Sequence, residues 1–372
     1  MRQSRLILLG LFACTAVAAP VGTIQPADGS ISTVGATTTV SLNRNSQINW
    51  SSLSLAAGEQ LQVLSTGGGA YASLNLVTGG RSTILGAITA DGPFYLVNPA
   101  GIFVGASGSI HAPQVLLSTL TPSDPVAALN GGTTSWSTAG LGTVQIEGAI
   151  SAATSIVILS ETISINRNAS VATTDAAVGR IDMVAASSGV TGAGGNWSVL
   201  DPSRGQTGTL SNTGRIQAHS VQLISHGSLV NGGVITTGGA TTPRGDQVLL
   251  RAVDIVNEES GIITARDIRF EGDLTPTQLG KLIDPDDGSN PGATTSTAQI
   301  PRLSGGAPQV VTQINPGQLG FTTLQSVQLA APKPTATAAE STLAVRRGAN
   351  RDTVEKSKRG KVKRTSFFGQ VK

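Results

Sequence analysis

Apolar residues in this chain come in short alternating runs, with no sustained helical spacing. One phrase recurs: Gly-x-Ile-x-Ala, as GAITA at 86, GSIHA at 108, GAISA at 148, GRIQA at 214 and GIITA at 261. Three copies continue with an aliphatic residue three positions after the Ala and an apolar one two further on, as Val115 and Leu117, Val221 and Leu223, Ile268 and Phe270. The copies at 86 and 148 need one extra residue, giving Phe94 and Leu96, and Ile156 and Ile158. A period of two puts the Ile, the Ala and the later apolar residues on one face of an extended strand, with the Gly opening each strand where the chain bends. A strand phrase repeated at irregular intervals of about 20 to 65 residues reads as a solenoid with extra coils and loops between its best copies. The expected fold is therefore all-β, a right-handed parallel β-helix in which Ile88, Ile110, Ile150, Ile216 and Ile263 point into one core. Asn166, Asn168, Asn212, Asn231 and Asn257 fall between apolar stretches, where Asn tolerates left-handed backbone and can ladder with its equivalents on neighbouring coils. A β-sandwich also alternates, but it has no reason to repeat one phrase five times.

Composition supports the all-β reading. The 372 residues include 46 Gly, with 13% charged and 3% aromatic residues, and β-branched residues between Gly and Asn punctuation favour short strands and tight turns. The formal net charge of +3 hides a segregation: ten of the 25 Lys and Arg residues lie between Arg346 and Lys372, beside only Asp352 and Glu355. From Ala19 to Val345 the chain holds 13 basic and 20 acidic residues. A mildly acidic body argues against a nucleic-acid groove, so no cytoplasmic nucleic-acid partner is expected.

Residues 1–18 open with Arg2 and Arg5, continue through a short apolar run and reach Ala16 and Ala18, which suits a signal peptide cleaved after Ala18. The run is too short to span a membrane. Cys14, the sole cysteine, sits in Leu-Phe-Ala-Cys, which also resembles a lipoprotein cleavage box; removal of the segment is the favoured reading and lipidation at Cys14 the alternative. After Gly272 the composition turns to Thr, Pro, Gly, Ser and Ala, so residues 273–345 read as a low-complexity linker and 346–372 as a disordered basic tail. A short strand pair around Gln309–Ile314 and Leu324–Leu329 would fit within that linker.

Catalytic and metal chemistry finds little support. His111, His219 and His226 show no metal-ligand spacing and are expected on solvent-facing positions. Asp284, Asp287 and Asn290 give a run with the acid content of a calcium loop but no distal Glu. Asp182, Asp246, Asp254 and Asp267 are scattered rather than paired, which leaves a polysaccharide lyase or hydrolase on a β-helix as the alternative to a non-enzymatic role. No cofactor is expected.

The stretch from Ile48 to Ile110 carries an ordered set of short motifs: Ile48-Asn49-Trp50, Gly58-Glu59, Asn75-Leu76-Val77-Thr78-Gly79, Ser82-Thr83-Ile84-Leu85-Gly86 and Leu96-Val97-Asn98-Pro99-Ala100-Gly101-Ile102. In this combination they resemble the secretion domain of two-partner-secretion exoproteins of the filamentous haemagglutinin type. Ala100 stands where that family usually has a second Asn, and Val104 where an aromatic residue is common. Segment 21–47, with Ile31, Val34, Val40 and Leu42, is similar to the family's N-terminal capping strands. The resemblance implies a secretion domain over 19–120, comprising cap and first coils, with further coils over 121–272. Asn75, Gly79, Ser82, Ile84, Gly86, Asn98, Pro99, Gly101 and Ile102 would be its secretion-motif residues.

It also implies a route: export to the periplasm of a Gram-negative-type bacterium, then passage through an outer-membrane transporter barrel whose periplasmic modules bind the unfolded domain. The destination would be the medium or the cell surface, with adhesion or matrix interaction as the expected role. The turn at Asn98 to Ile102 has two readings, a recognition element or a corner of the helix, and the corner is favoured because Asn-Pro-x-Gly is first of all a turn signal. The tail is read as a solvated end. Its functional alternative is binding of a polyanion, such as lipopolysaccharide or another surface polysaccharide, through Lys356, Lys358, Arg359, Lys361, Lys363 and Arg364.

Overall fold

The computed structural model describes residues 20–26, 29–67, 71–130, 133–138, 142–188, 190–193, 196–200, 207–237, 247–272, 276–284, 294–297 and 311–314. The chain divides into two units, Met1–Ser326 and Val327–Lys372, and all described residues belong to the first. The linker strand expected at 324–329 and the basic tail lie outside them, as do Asp246, Asp287 and Asn290.

Strands stack in parallel register as one 26-stranded sheet that bends into three faces, so that each coil runs through a first, a second and a third face before the next begins. On the first face one inward column passes through Leu61, Ile88, Ile110, Ile150, Val171, Ile216, Ile235, Ile263 and Leu282. All five predicted isoleucines stand in this column, each at most 1% exposed. On the second face the column is Ile48, Asn75, Leu96, Leu117, Ile158, Met183, Leu223, Leu250 and Phe270. On the third it is Ile84, Val104, Ile146, Ile165, Asn212, Asn231 and Asn257. These columns build one continuous apolar core, in which each buried aliphatic side chain contributes about 1.5 to 3 kcal/mol.

The recurrent Gly occupies the corner from the third face to the first. There the carbonyl of one coil's corner accepts a backbone N–H from the next coil, as in Ala149 to Gly108 at 3.0 Å and Val234 to Gly214 at 2.8 Å. A Cβ on Gly148 would lie 2.2 Å from the Gly108 oxygen, and one on Gly280 would lie 2.2 Å from the Gly261 oxygen. The phrase therefore begins with Gly because stacked corners leave no room for a side chain.

One end is closed by two antiparallel additions. Val21–Gln25 pairs with Ser46–Ser52, and Ser30–Val34 pairs with Thr37–Leu42. Ile31 packs against the core, and Val40 and Leu42 are fully buried, whereas Val34 is 80% exposed at the hairpin tip and belongs to no core. Toward the other end, parallel pairing continues past Gly272 through Lys281–Ile283 and Thr294–Thr297.

Two excursions leave the helix between the second and third faces. They carry the strands Leu120–Pro122, Thr134–Thr138, Val190–Ala193 and Asn196–Leu200, which with Val311–Ile314 form a separate antiparallel sheet. Together with the short helix Pro125–Leu129 they form a second apolar cluster against the outer side of the second face. In it Leu120, Leu129, Trp136 and Val190 meet Leu74, Val97, Leu116, Leu159, Val184 and Ile224.

Candidate functional site

The secretion-motif residues all lie in the first coils, and the structure places most of them inside. Asn75, Ser82, Ile84, Asn98 and Ile102 are 0% exposed, while Pro99 is half-buried. Asn75 interrupts an aliphatic column for a reason: its Oδ1 accepts the buried indole N–H of Trp50 at 3.0 Å, and its Nδ2 donates to the Tyr95 carbonyl at 3.1 Å and to Ser73 Oγ at 3.3 Å. An apolar side chain at 75 would leave the Trp50 N–H without a partner.

Asn98 ties its turn to the neighbouring strand in the same way. Its Nδ2 donates to Ser82 Oγ at 2.9 Å and to the Gly80 carbonyl at 3.0 Å, and its Oδ1 accepts the Ala100 N–H at 2.9 Å. Its own backbone N–H donates to the Ser118 carbonyl of the next coil at 2.8 Å. The turn closes with Gly101 N–H donating to the Asn98 carbonyl at 3.0 Å, and the Gly101 carbonyl accepts from Ser82 N–H at 3.0 Å. Gly101 has φ +113°, in the region that favours glycine. Ala100, the departure from the family pattern, is exposed and uses only its backbone N–H. Gly79 and Gly86 admit no Cβ, which would fall 2.0 Å from the Ser51 oxygen and 2.2 Å from the Glu59 oxygen respectively. In the folded molecule, then, Asn98 and Gly101 are buried in this turn, while Pro99 is half-buried and Ala100 exposed.

Of the predicted Asn ladder, one stretch forms. Asn212 Nδ2 donates to Asn231 Oδ1 and Asn231 Nδ2 to Asn257 Oδ1, both at 2.7 Å, with all three residues buried. They close strands in extended conformation, so hydrogen bonding to the next coil explains them and left-handed backbone does not. Asn166 and Asn168 do not join: Asn166 donates to Glu147 Oε1 at 2.9 Å and Asn168 is exposed.

The histidines differ from expectation in one case. His111 is exposed and His219 half-buried, but His226 is 1% exposed, at the register shift between Ser225 and Ser228 where the second face gives way to the third. Among the described residues no group of three His, Cys, Asp or Glu side chains is placed to hold a metal. Asp182 is fully buried with Arg180 Nε 2.8 Å from both of its oxygens; burial pushes its carboxyl above the usual carboxylate range, and the guanidinium opposes the rise. Asp267 pairs with Arg269 at 2.8 Å. Three coils separate it from Asp182 along the second face, and Asp254 stands on the third face. These carboxylates are not brought together.

A capped parallel β-helix whose first coils are clamped by buried Asn75 and Asn98 is the class of solenoid these observations define. Residues 16–270 match the TPS secretion domain, and the chain belongs to that family. Among solved structures it is similar to the HMW1 secretion domain from Haemophilus influenzae, at 17% identity and a TM-score of 0.47, over 74% of this chain and 81% of that one. No curated protein matches the chain.

Proposed function

We propose that this two-partner secretion exoprotein crosses the outer membrane through a dedicated transporter barrel and acts outside the cell as an adhesin or matrix-interaction protein. The observation that carries the export half is the burial of the motif. Asn75, Ser82, Ile84, Asn98 and Ile102 offer no surface once folded, so a partner that reads these side chains meets them before the coils form. Strand addition to the edge of a transporter module's sheet suits such an encounter, since backbone hydrogen bonds supply affinity and alternate side chains supply register. Folding then supplies direction, because each coil finds its partner groups on the coil before it and growth from the capped end draws the chain outward. The route places the chain first in the periplasm and then at the cell surface or in the medium.

Deleting residues 48–110 tests the reading. Release into the medium is expected to stop while periplasmic delivery continues, as measured by fractionation of cells that carry the transporter. Undiminished release would remove the export role from this region.

A further inference from the structure

The outer side of the third face carries one feature that neither packing nor export uses. Arg81 projects from the start of Ser82–Ile84, and its guanidinium lies 4.8 Å from the centre of the Phe103 ring, with Nη2 donating to Gln145 Oε1 at 3.0 Å. The Arg81 stem passes beside Gly101 at van der Waals distance, where a Cβ would sit 3.4 Å from Arg81 Cγ. Arg81 is exposed, and among the described residues no carboxylate pairs with it.

Beside it the polar side chains are fixed in sequence. Gln145 Nε2 and Asn166 Nδ2 both donate to Glu147 Oε1 at 2.9 Å, and Ser164 Oγ donates to Asn166 Oδ1 at 2.9 Å. Glu147 Oε2 has no side-chain partner among the described residues. Phe103, Gln145 and Ser164 stand in one register column, so these groups repeat at the strand spacing of about 4.8 Å.

We propose that this row is a binding site for an anionic glycan, with the Arg81 fork taking a carboxylate or sulfate and Glu147 Oε2 meeting a ring hydroxyl. A guanidinium held flat by a ring and an amide has little freedom left to lose, and its unused N–H groups match a bidentate oxyanion. This deepens the adhesin reading and rests on it. It does not depend on export.

The test uses purified full-length protein with trigalacturonate, a sulfated chondroitin disaccharide and neutral maltotriose. Binding is read from arginine Nε–Hε resonances, and the Arg81 signal is identified as the one missing in Arg81→Met. One or both anionic sugars should shift that signal while maltotriose leaves it in place, and the one that does so names the anion. Arg81→Met keeps a stem over Phe103, so affinity should fall by roughly tenfold or more with an unchanged thermal midpoint, the loss expected for a charge-assisted hydrogen bond. The proposal is overturned if Arg81→Met binds as tightly as the parent, if maltotriose shifts Arg81 equally, or if the shifts are confined to arginines of 346–372. Failure here leaves the export reading standing, because the deletion of 48–110 is scored by release alone.

Discussion

Asn98 shows how one buried amide does the work of a corner. It joins Gly80 and Ser82 of one coil to its own turn, while its backbone reaches Ser118 of the next. Asn98→Ala removes three side-chain hydrogen bonds, takes the donor from the buried Ser82 Oγ and opens a void under the turn, so it is expected to cost about 2 to 4 kcal/mol. Thermal unfolding of the purified variant checks this, and an unchanged midpoint would return the turn to the role of a recognition element. Asp182 makes the opposite kind of prediction. Its carboxyl titrates higher in the folded chain than in the unfolded one, so the native state holds the proton more tightly. Stability from this group is full below the ordinary Asp value and is lost as pH rises through the raised one. Denaturant titrations across that range should show stability falling with pH, and Asp182→Asn should flatten that part of the profile.

At the scale of the element, the first-face column states what the repeat is for. Ile150 stands between Ile110 and Val171 at 1% exposure. Ile150→Asp buries a carboxylate with no partner, and a loss of several kcal/mol is expected, read as a lower denaturation midpoint or failure to fold. All five coils marked by the full phrase were legible in the sequence, because Gly is fixed by the corner and Ile by the core. Coils centred on Leu61 and Val171 were not, since Glu59 and Ala169 stand at their corners, and those at Ile235 and Leu282 keep the corner Gly233 and Gly280 but carry Thr237 and Asp284 where the phrase has Ala. The side sheet was equally hidden. Its signal was the continuous apolar run Ile156-Val157-Ile158-Leu159, which breaks the period of two because that strand is covered on both sides. The motif residues were found by resemblance, but their burial was not, as a buried Asn and an exposed one look alike until their partners are placed. Arg81 carried no signal, for its ring and amide come from later coils.

For the molecule as a whole, charge is divided along the chain. The segment from Arg346 to Lys372 has ten basic and two acidic residues, attached to an acidic body. If polyanion binding belongs to it, the chain ended after Val345 should fold as before yet lose retention on a lipopolysaccharide or DNA matrix. Retention of the intact chain should fall steeply with salt, as released counterions require. Equal retention of both at low salt would leave the segment as a solvated end.

The direction of the inter-coil hydrogen bonds has a mechanical consequence. They run along the helix axis, so a load drawn through the last coil meets the bonds of one coil at a time and not all of them together. The 19 residues that separate Ile216 from its register partner Ile235 span about 65 Å when pulled straight, against an advance of about 4.8 Å when coiled. A protein of this build, held at a surface and tugged by flow, lengthens by whole coils as each peels away, and the capped end is the last to yield.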